Sequence, residues 1–138
     1  MHMLILLSFL YFVYGYFLGF AFKKGSFIKY LYDKKNINVL LSIEITFVIL
    51  TSIVVFLNQP LNIIVALIMF MHIFGVFWII VNPKTFYEMI EESLIGMDEV
   101  YLERISSLMM FFFSFLVLLS LFISVSYTHL TLPTIFRV

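Results

Sequence analysis

Four apolar runs, at residues 3–22, 37–57, 61–81 and 108–124, leave this chain few ways to fold. Each approaches the ~20 residues that a helix needs to cross a hydrocarbon layer ~30 Å thick. Hydrophobic residues make up 64% of the chain and charged residues 12%. A soluble domain holds roughly 45–50% and ~25%, so water is the wrong solvent for these runs. Lipid in turn demands that every backbone N–H and C=O pair within its own segment, which favours helices. The runs therefore predict an all-α integral membrane protein. The expected form is a four-helix up-and-down bundle with a short amphipathic helix between spans three and four, the bundle covering residues 1–124.

The first run is too long for the ~7–15-residue core of a signal peptide, no Lys or Arg precedes it, and no small-residue cleavage pattern follows. Lys23 and Lys24 follow instead, as anchors of a helix end. Formal net charge is zero, which predicts no nucleic-acid partner. There is no cysteine, so disulfides, thiolate-held metals and thiol chemistry are excluded.

Loop charge sets the orientation. Residues 23–36 hold Lys23, Lys24, Lys29, Lys34 and Lys35 against one acid, Asp33. Residues 58–60 hold no charge, and residues 82–107 hold Lys84 and Arg104. The positive-inside rule then puts the first and third loops in the cytoplasm and the N-terminus outside, in the cell membrane. The three-residue second loop makes spans two and three a tight antiparallel hairpin, and Pro60 suits its turn.

The first loop has room for a short helix capped by Ser26 and carrying Phe27, Ile28, Tyr30 and Leu31. Such a segment can rest among lipid headgroups, with the five lysines drawn to anionic lipid at ~1 kcal/mol each. In the third loop Asn82-Pro83 ends a span, and Thr85-Phe-Tyr-Glu88 has the form of a capping box. Phe86, Ile90, Leu94, Met97, Tyr101 and Ile105 then recur at three- and four-residue spacing as an apolar stripe. Glu88, Glu92, Glu99 and Glu103 form an opposing acidic face, expected to meet the cytosol, the lysines of the first loop or a partner. Gly96 predicts a break, after which Asp98 caps a second piece leading into span four.

Within the spans, Glu44 is the one acid, about seven residues or ~10 Å from the cytoplasmic start of its helix. An acid that deep costs roughly 2.5–3.5 kcal/mol on insertion scales, so it should face the bundle interior and marks a candidate site. His72 lies ~13 Å from the cytoplasmic end of the next span. The short hairpin allows the two to meet, either as a proton-passing pair or as a hydrogen bond that locks the hairpin. Tyr11, Tyr14 and Tyr16 need hydroxyl partners in mid-membrane, for which His72 and Glu44 are candidates. Trp78 fits an interfacial belt. Thr46, Thr51 and Ser52 can bond back to their own helix.

Gly15 and Gly19 form a G-x-x-x-G pattern, extended by Ser8 seven residues earlier, that opens a groove for close helix packing. The groove is expected to serve the bundle itself before any self-association. Met69-Phe-Met71-His72 contains copper and haem ligand types. Met69 and Met71 nevertheless lie on different faces of a helix, and a second axial histidine would need another subunit. No cofactor and no metal is expected.

Residues 125–134, Val-Ser-Tyr-Thr-His-Leu-Thr-Leu-Pro-Thr, resemble the one-frame translation of a transposase-based sequencing-library adapter. Residues 135–138 fit the index and constant region beyond it. The resemblance implies that residues 125–138 are non-native, that the natural chain is cut inside span four near Ser124, and that His129 and Arg137 carry no functional weight.

No P-loop, nucleophile-elbow or zinc-protease pattern occurs, so an enzyme is not the favoured reading. The leading expectation is a non-enzymatic subunit or accessory protein of a membrane complex, bound to the lipid bilayer and, through span one and the third-loop helix, to other membrane subunits or itself. The alternative is a proton- or ion-coupled transporter or channel component using Glu44 and His72. A membrane redox protein ranks third.

Overall fold

The computed structural model describes residues 2–21, 26–57, 61–96 and 99–136, with side chains for 2–21, 27–57, 61–93 and 100–123. Its elements are α1 (His2–Gly19), α2 (Ser26–Leu31), a 3-10 turn (Lys34–Asn36), α3 (Ile37–Leu57), α4 (Ile63–Val81), α5 (Pro83–Gly96) and α6 (Glu99–Phe136). No strand occurs among the described residues. Four helices, α1, α3, α4 and α6, are long and apolar enough to cross a membrane. The protein is thus a helical membrane bundle with α2 and α5 as short helices at one end, called the basal end below.

Cross-helix bonds show that neighbours alternate in direction. Ser8 meets Ser114 while Gly15 meets Ser107, so α1 and α6 are antiparallel. Glu44 meets His72 while Ser52 meets Met69, so α3 and α4 are antiparallel too. The two pairs close a ring through one core of Leu4, Leu7, Tyr11, Phe47, Val54, Val65, Ile68, Phe113 and Val117. Phe9, Phe56, Phe70, Phe77 and Phe122 point outward, as expected where the surrounding solvent is lipid.

The α1–α6 seam is built on small residues. A Cβ added to Gly19 would lie 2.6 Å from Ser107 Oγ, and one at Gly15 would lie 3.0 Å from the Phe111 ring. The hydroxyls of Ser8 and Ser114 each bond the other's backbone carbonyl, at 3.0 and 2.8 Å, and Ser107 donates to Gly15 O at 2.7 Å. Close backbones and satisfied hydroxyls together replace the hydrophobic effect, which gives no help between helices in lipid. The groove of span one is therefore filled from within the chain.

The basal end is more tightly packed than loop composition suggests. Ile28 and Leu31 of α2 are buried against Leu18, with Tyr14, Tyr32, Ile43 and Leu102 around them. The apolar side of α2 thus plugs the bundle, while Lys29, Lys34 and Lys35 face outward. Lys23 and Lys24 lie outside the described residues, as do the side chain of Ser26 and residues 58–60. Asp33 caps the 3-10 turn by accepting from Lys35 N at 3.0 Å. Phe86 and Ile90 of α5 pack on Leu40 and Ile79, the basal ends of α3 and α4. Trp78 joins that cluster and meets Phe86 edge-on at 5.9 Å.

Several boundaries differ from expectation. Asn82, not Thr85, caps α5: its side chain accepts from Thr85 N at 3.3 Å, and Pro83 takes the first helical position, where its missing N–H costs nothing. Span three starts at Ile63 because Asn62 caps it, accepting from Val65 N at 3.2 Å. α5 runs to Gly96 and α6 starts at Glu99, and the expected break between them falls on residues 97–98, outside the described residues. Beyond it the acidic residues and span four form one helix, α6, which runs past Ser124 to Phe136. No glycine or proline interrupts that helix before Pro133.

The continuous apolar stripe and acidic face are corrected in α6. Tyr101 is exposed and Glu103 is buried, at 4% exposure. The phase of α6 is set by its small-residue seam: Glu103 precedes Ser107 by four residues and so shares its inward face. Glu88 and Glu92 of α5 do face outward. The side chains of Leu94, Met97, Asp98 and Glu99 lie outside the described residues.

Candidate functional site

His72 sits in mid-helix on α4 and turns inward, with 6% of its side chain exposed. Its two ring nitrogens are both engaged. Nδ1 lies 2.6 Å from Glu44 Oε2 on α3, and Nε2 lies 2.6 Å from the Tyr11 hydroxyl on α1. Three helices thus contribute one polar group each to a continuous hydrogen-bonded chain. α3 and α4 are neighbours, packed antiparallel through the Glu44–His72 and Ser52–Met69 contacts. Tyr11 arrives because Leu4, Leu7, Tyr11 and Leu18, at three- to seven-residue spacing, form the buried stripe of α1.

Phe47 covers the assembly. It stacks on His72 at 5.3 Å and 10° and on Tyr11 at 4.4 Å and 17°. Phe113 of α6 closes the Tyr11 ring edge-on at 5.7 Å. Tyr11 has no exposed surface, whereas the Glu44 side chain keeps 19%. The carboxylate is therefore the open end of the chain and the phenol its closed end. A Cβ on Gly75 would stand 3.9 Å from Glu44 Oε2, so the glycine keeps the flank of the carboxylate free of side chain.

The chemistry follows from the donor inventory. When Glu44 is ionised it only accepts, so Nδ1 then carries a proton, and a neutral His72 has a bare Nε2 that accepts from the Tyr11 hydroxyl. The chain then reads Tyr11 O–H to His72 to Glu44, with both ring nitrogens of His72 satisfied. Adding one proton gives an imidazolium whose Nε2–H donates toward Tyr11 oxygen. The phenol must then turn its own proton elsewhere. Proton uptake at this site reverses one buried hydrogen bond between α1 and α4.

The remaining candidate residues are dispersed. Ser8, Gly15 and Gly19 belong to the α1–α6 seam, and Tyr16 faces outward. Tyr14 packs against Phe47 at 5.6 Å. Thr46 and Thr51 bond back to Ser42 O and Phe47 O at 2.7 Å. Ser52 instead crosses to Met69 Sδ at 3.4 Å. Met69 is buried and Met71 exposed, on opposite sides of α4. Among the described residues no three His, Asp or Glu side chains converge as a metal site.

Sequence reasoning passed over Phe47, which looks like any other apolar residue of span two. It also passed over Ser107 and Ser114, although their seven-residue spacing repeats that of Ser8 and Gly15 on the facing helix. That shared spacing is the readable signal for the seam. No family model, curated protein or solved structure matches this chain.

Proposed function

We propose that this protein is a proton-coupled component of a cell-membrane transport or channel system, in which Glu44, His72 and Tyr11 take up and release a proton. The N-terminus is outside and the basal end is cytoplasmic. One observation carries the reading: an acid, an imidazole and a phenol from three helices are joined end to end inside a lipid-facing bundle. Imidazole is the side chain whose charge changes most readily near neutral pH, and ionisable groups at this depth mark ion or proton pathways. Glu44, the partly exposed end, exchanges the proton, and Tyr11 carries the change to α1.

The test is proton movement in liposomes holding the purified chain and an internal pH dye. Wild type should dissipate an imposed pH gradient or couple it to a co-ion, and Glu44→Gln and His72→Ala should abolish that response. Equal responses from wild type and both variants would end the proposal.

A second reading, a subunit that docks on other membrane proteins, draws on Glu88, Glu91 and Glu92, which are exposed together on α5. Span one no longer favours it, since its glycine groove is occupied by α6. Cross-linking from position 92 to a neighbouring membrane protein in cells would support that reading, and a strictly monomeric chain without cross-links would remove it.

A further inference from the structure

At the basal end, between the first loop and α5, lies a cavity of about 460 Å³ lined by Tyr32, Asp33, Lys34, Lys84, Tyr87, Glu88, Ile90 and Glu91. It shares no residue with the His72 site. We propose that this cavity binds the headgroup of a zwitterionic phospholipid bearing a primary ammonium, a glycerophosphoethanolamine.

Position comes first. α5 starts at Pro83, two residues beyond the last residue of the α4 span, and α3 starts three residues after Lys34. The cavity therefore lies where hydrocarbon gives way to headgroups. Charge comes second. Lys34 and Lys84 approach from two different segments, and Asp33, Glu88 and Glu91 supply the opposite sign. A site for a simple anion has no use for three carboxylates, and a site for a simple cation has none for two ammonium groups. A headgroup with a phosphate and an ammonium a few bonds apart satisfies both sets.

The third observation points to a ligand directly. Tyr87 is 93% withdrawn from solvent, being 7% exposed, and its hydroxyl has no hydrogen-bond partner among the described residues. Buried donors in native proteins are paired with few exceptions. Burial, and after it the nearby Asp33 carboxylate, push the Tyr87 phenol up from its ordinary pKa, so it stays a donor. A phosphate oxygen is the acceptor it lacks. Lys84 and Glu88 are only loosely paired, at 3.9 Å with both side chains largely exposed, and are free to re-pair with a ligand. Asp33 gives one oxygen to Lys35 N and keeps acceptor capacity for an ammonium.

Phosphatidylcholine lacks the N–H donors, and phosphatidylglycerol lacks the cation. The full chain in detergent should be titrated with phosphatidylethanolamine, phosphatidylcholine and phosphatidylglycerol of matched acyl chains, and bound lipid counted by native mass spectrometry. Phosphatidylethanolamine should bind about tenfold more tightly than the other two, and Tyr87→Phe, which loses a bond to the phosphate common to all three, should weaken each by about the same factor. Lys84→Gln should likewise weaken all three lipids, whereas Glu91→Gln should narrow the preference; both positions are exposed, and these variants carry the test if Tyr87→Phe fails to fold. Equal binding of the three lipids, tightest binding of phosphatidylglycerol, unchanged affinity in folded Lys84→Gln, or an unchanged preference in folded Glu91→Gln would overturn the proposal.

Discussion

Tyr11 and Glu44 hold opposite nitrogens of one imidazole, each at 2.6 Å. They come from α1 and α3, which otherwise meet mainly through the Phe47 ring and its aromatic neighbours. His72 therefore links three helices with a single side chain. Its protonation state decides which way the bond to Tyr11 runs.

The first prediction concerns the tautomer. With Glu44 ionised and His72 neutral, the proton must reside on Nδ1. Nitrogen-15 NMR of labelled histidine should assign the buried ring to the Nδ1–H form, and His72→Ala should remove that signal. A neutral ring protonated on Nε2 would mean that Glu44 donates instead, and the proton order proposed for the site would be wrong.

A second prediction separates the two ends of the chain energetically. Tyr11→Phe removes one hydrogen bond and keeps the stacked ring, so it should cost about 1 kcal/mol, the usual scale for such bonds in membranes. His72→Ala strands both the phenol and the carboxylate, and should cost on the order of 3 kcal/mol. Unfolding of the reconstituted protein by denaturing detergent, followed by circular dichroism, gives both values. Similar losses from both substitutions would show that the phenol carries more of the link than its one bond implies.

The α1–α6 seam yields a third. At Gly19 the obstacle to a Cβ is Ser107 Cβ and Oγ, at 2.7 and 2.6 Å. The short serine side chain, tied to Gly15 O, has nowhere to go. At Gly15 the obstacles are a Phe111 ring edge at 3.0 Å, which can tilt, and Met110 Cβ at 3.1 Å, both farther off than the serine atoms at Gly19. Gly19→Ala should therefore destabilise by about 1–3 kcal/mol, more than Gly15→Ala. Adding Ser107→Gly to Gly19→Ala should return part of the loss, as the same detergent titration would show.

These relationships differ in how far the chain itself discloses them. The four spans are legible because lipid sets one strict requirement, a long apolar run, and residues 37–57 meet it to the residue. The contact between Glu44 and His72 is legible as a possibility, because a three-residue connection fixes the depth of both. Sequence does not fix helix rotation, so which residues close the site is not readable: Phe47 and Phe113 differ in no visible way from outward-facing Phe56 or Phe122. Glu103 shows the converse failure. Spacing alone joins it to Glu88 and Glu92, but they belong to a different helix, and the seam around Ser107 turns Glu103 inward.

The last prediction follows from Tyr32, at the junction of the basal cavity and the bundle. Burial, and next the Glu44 carboxylate, push its phenol up to about 12 from an ordinary 10.0. The neutral phenol is thus favoured in the folded state. Between pH 10 and about 12 the folded chain holds a proton that the unfolded chain has lost, so stability falls as pH rises through that window. Below pH 10 both states are protonated and the contribution is complete. The tyrosinate absorbance near 295 nm, taken as wild type minus Tyr32→Phe, should therefore rise with a midpoint near 12. Tyr32→Phe should also lose less stability than wild type between pH 10 and 12. A midpoint near 10 would place Tyr32 in water, away from Glu44, and would open the basal plug on which the packing of α2 against α3 depends.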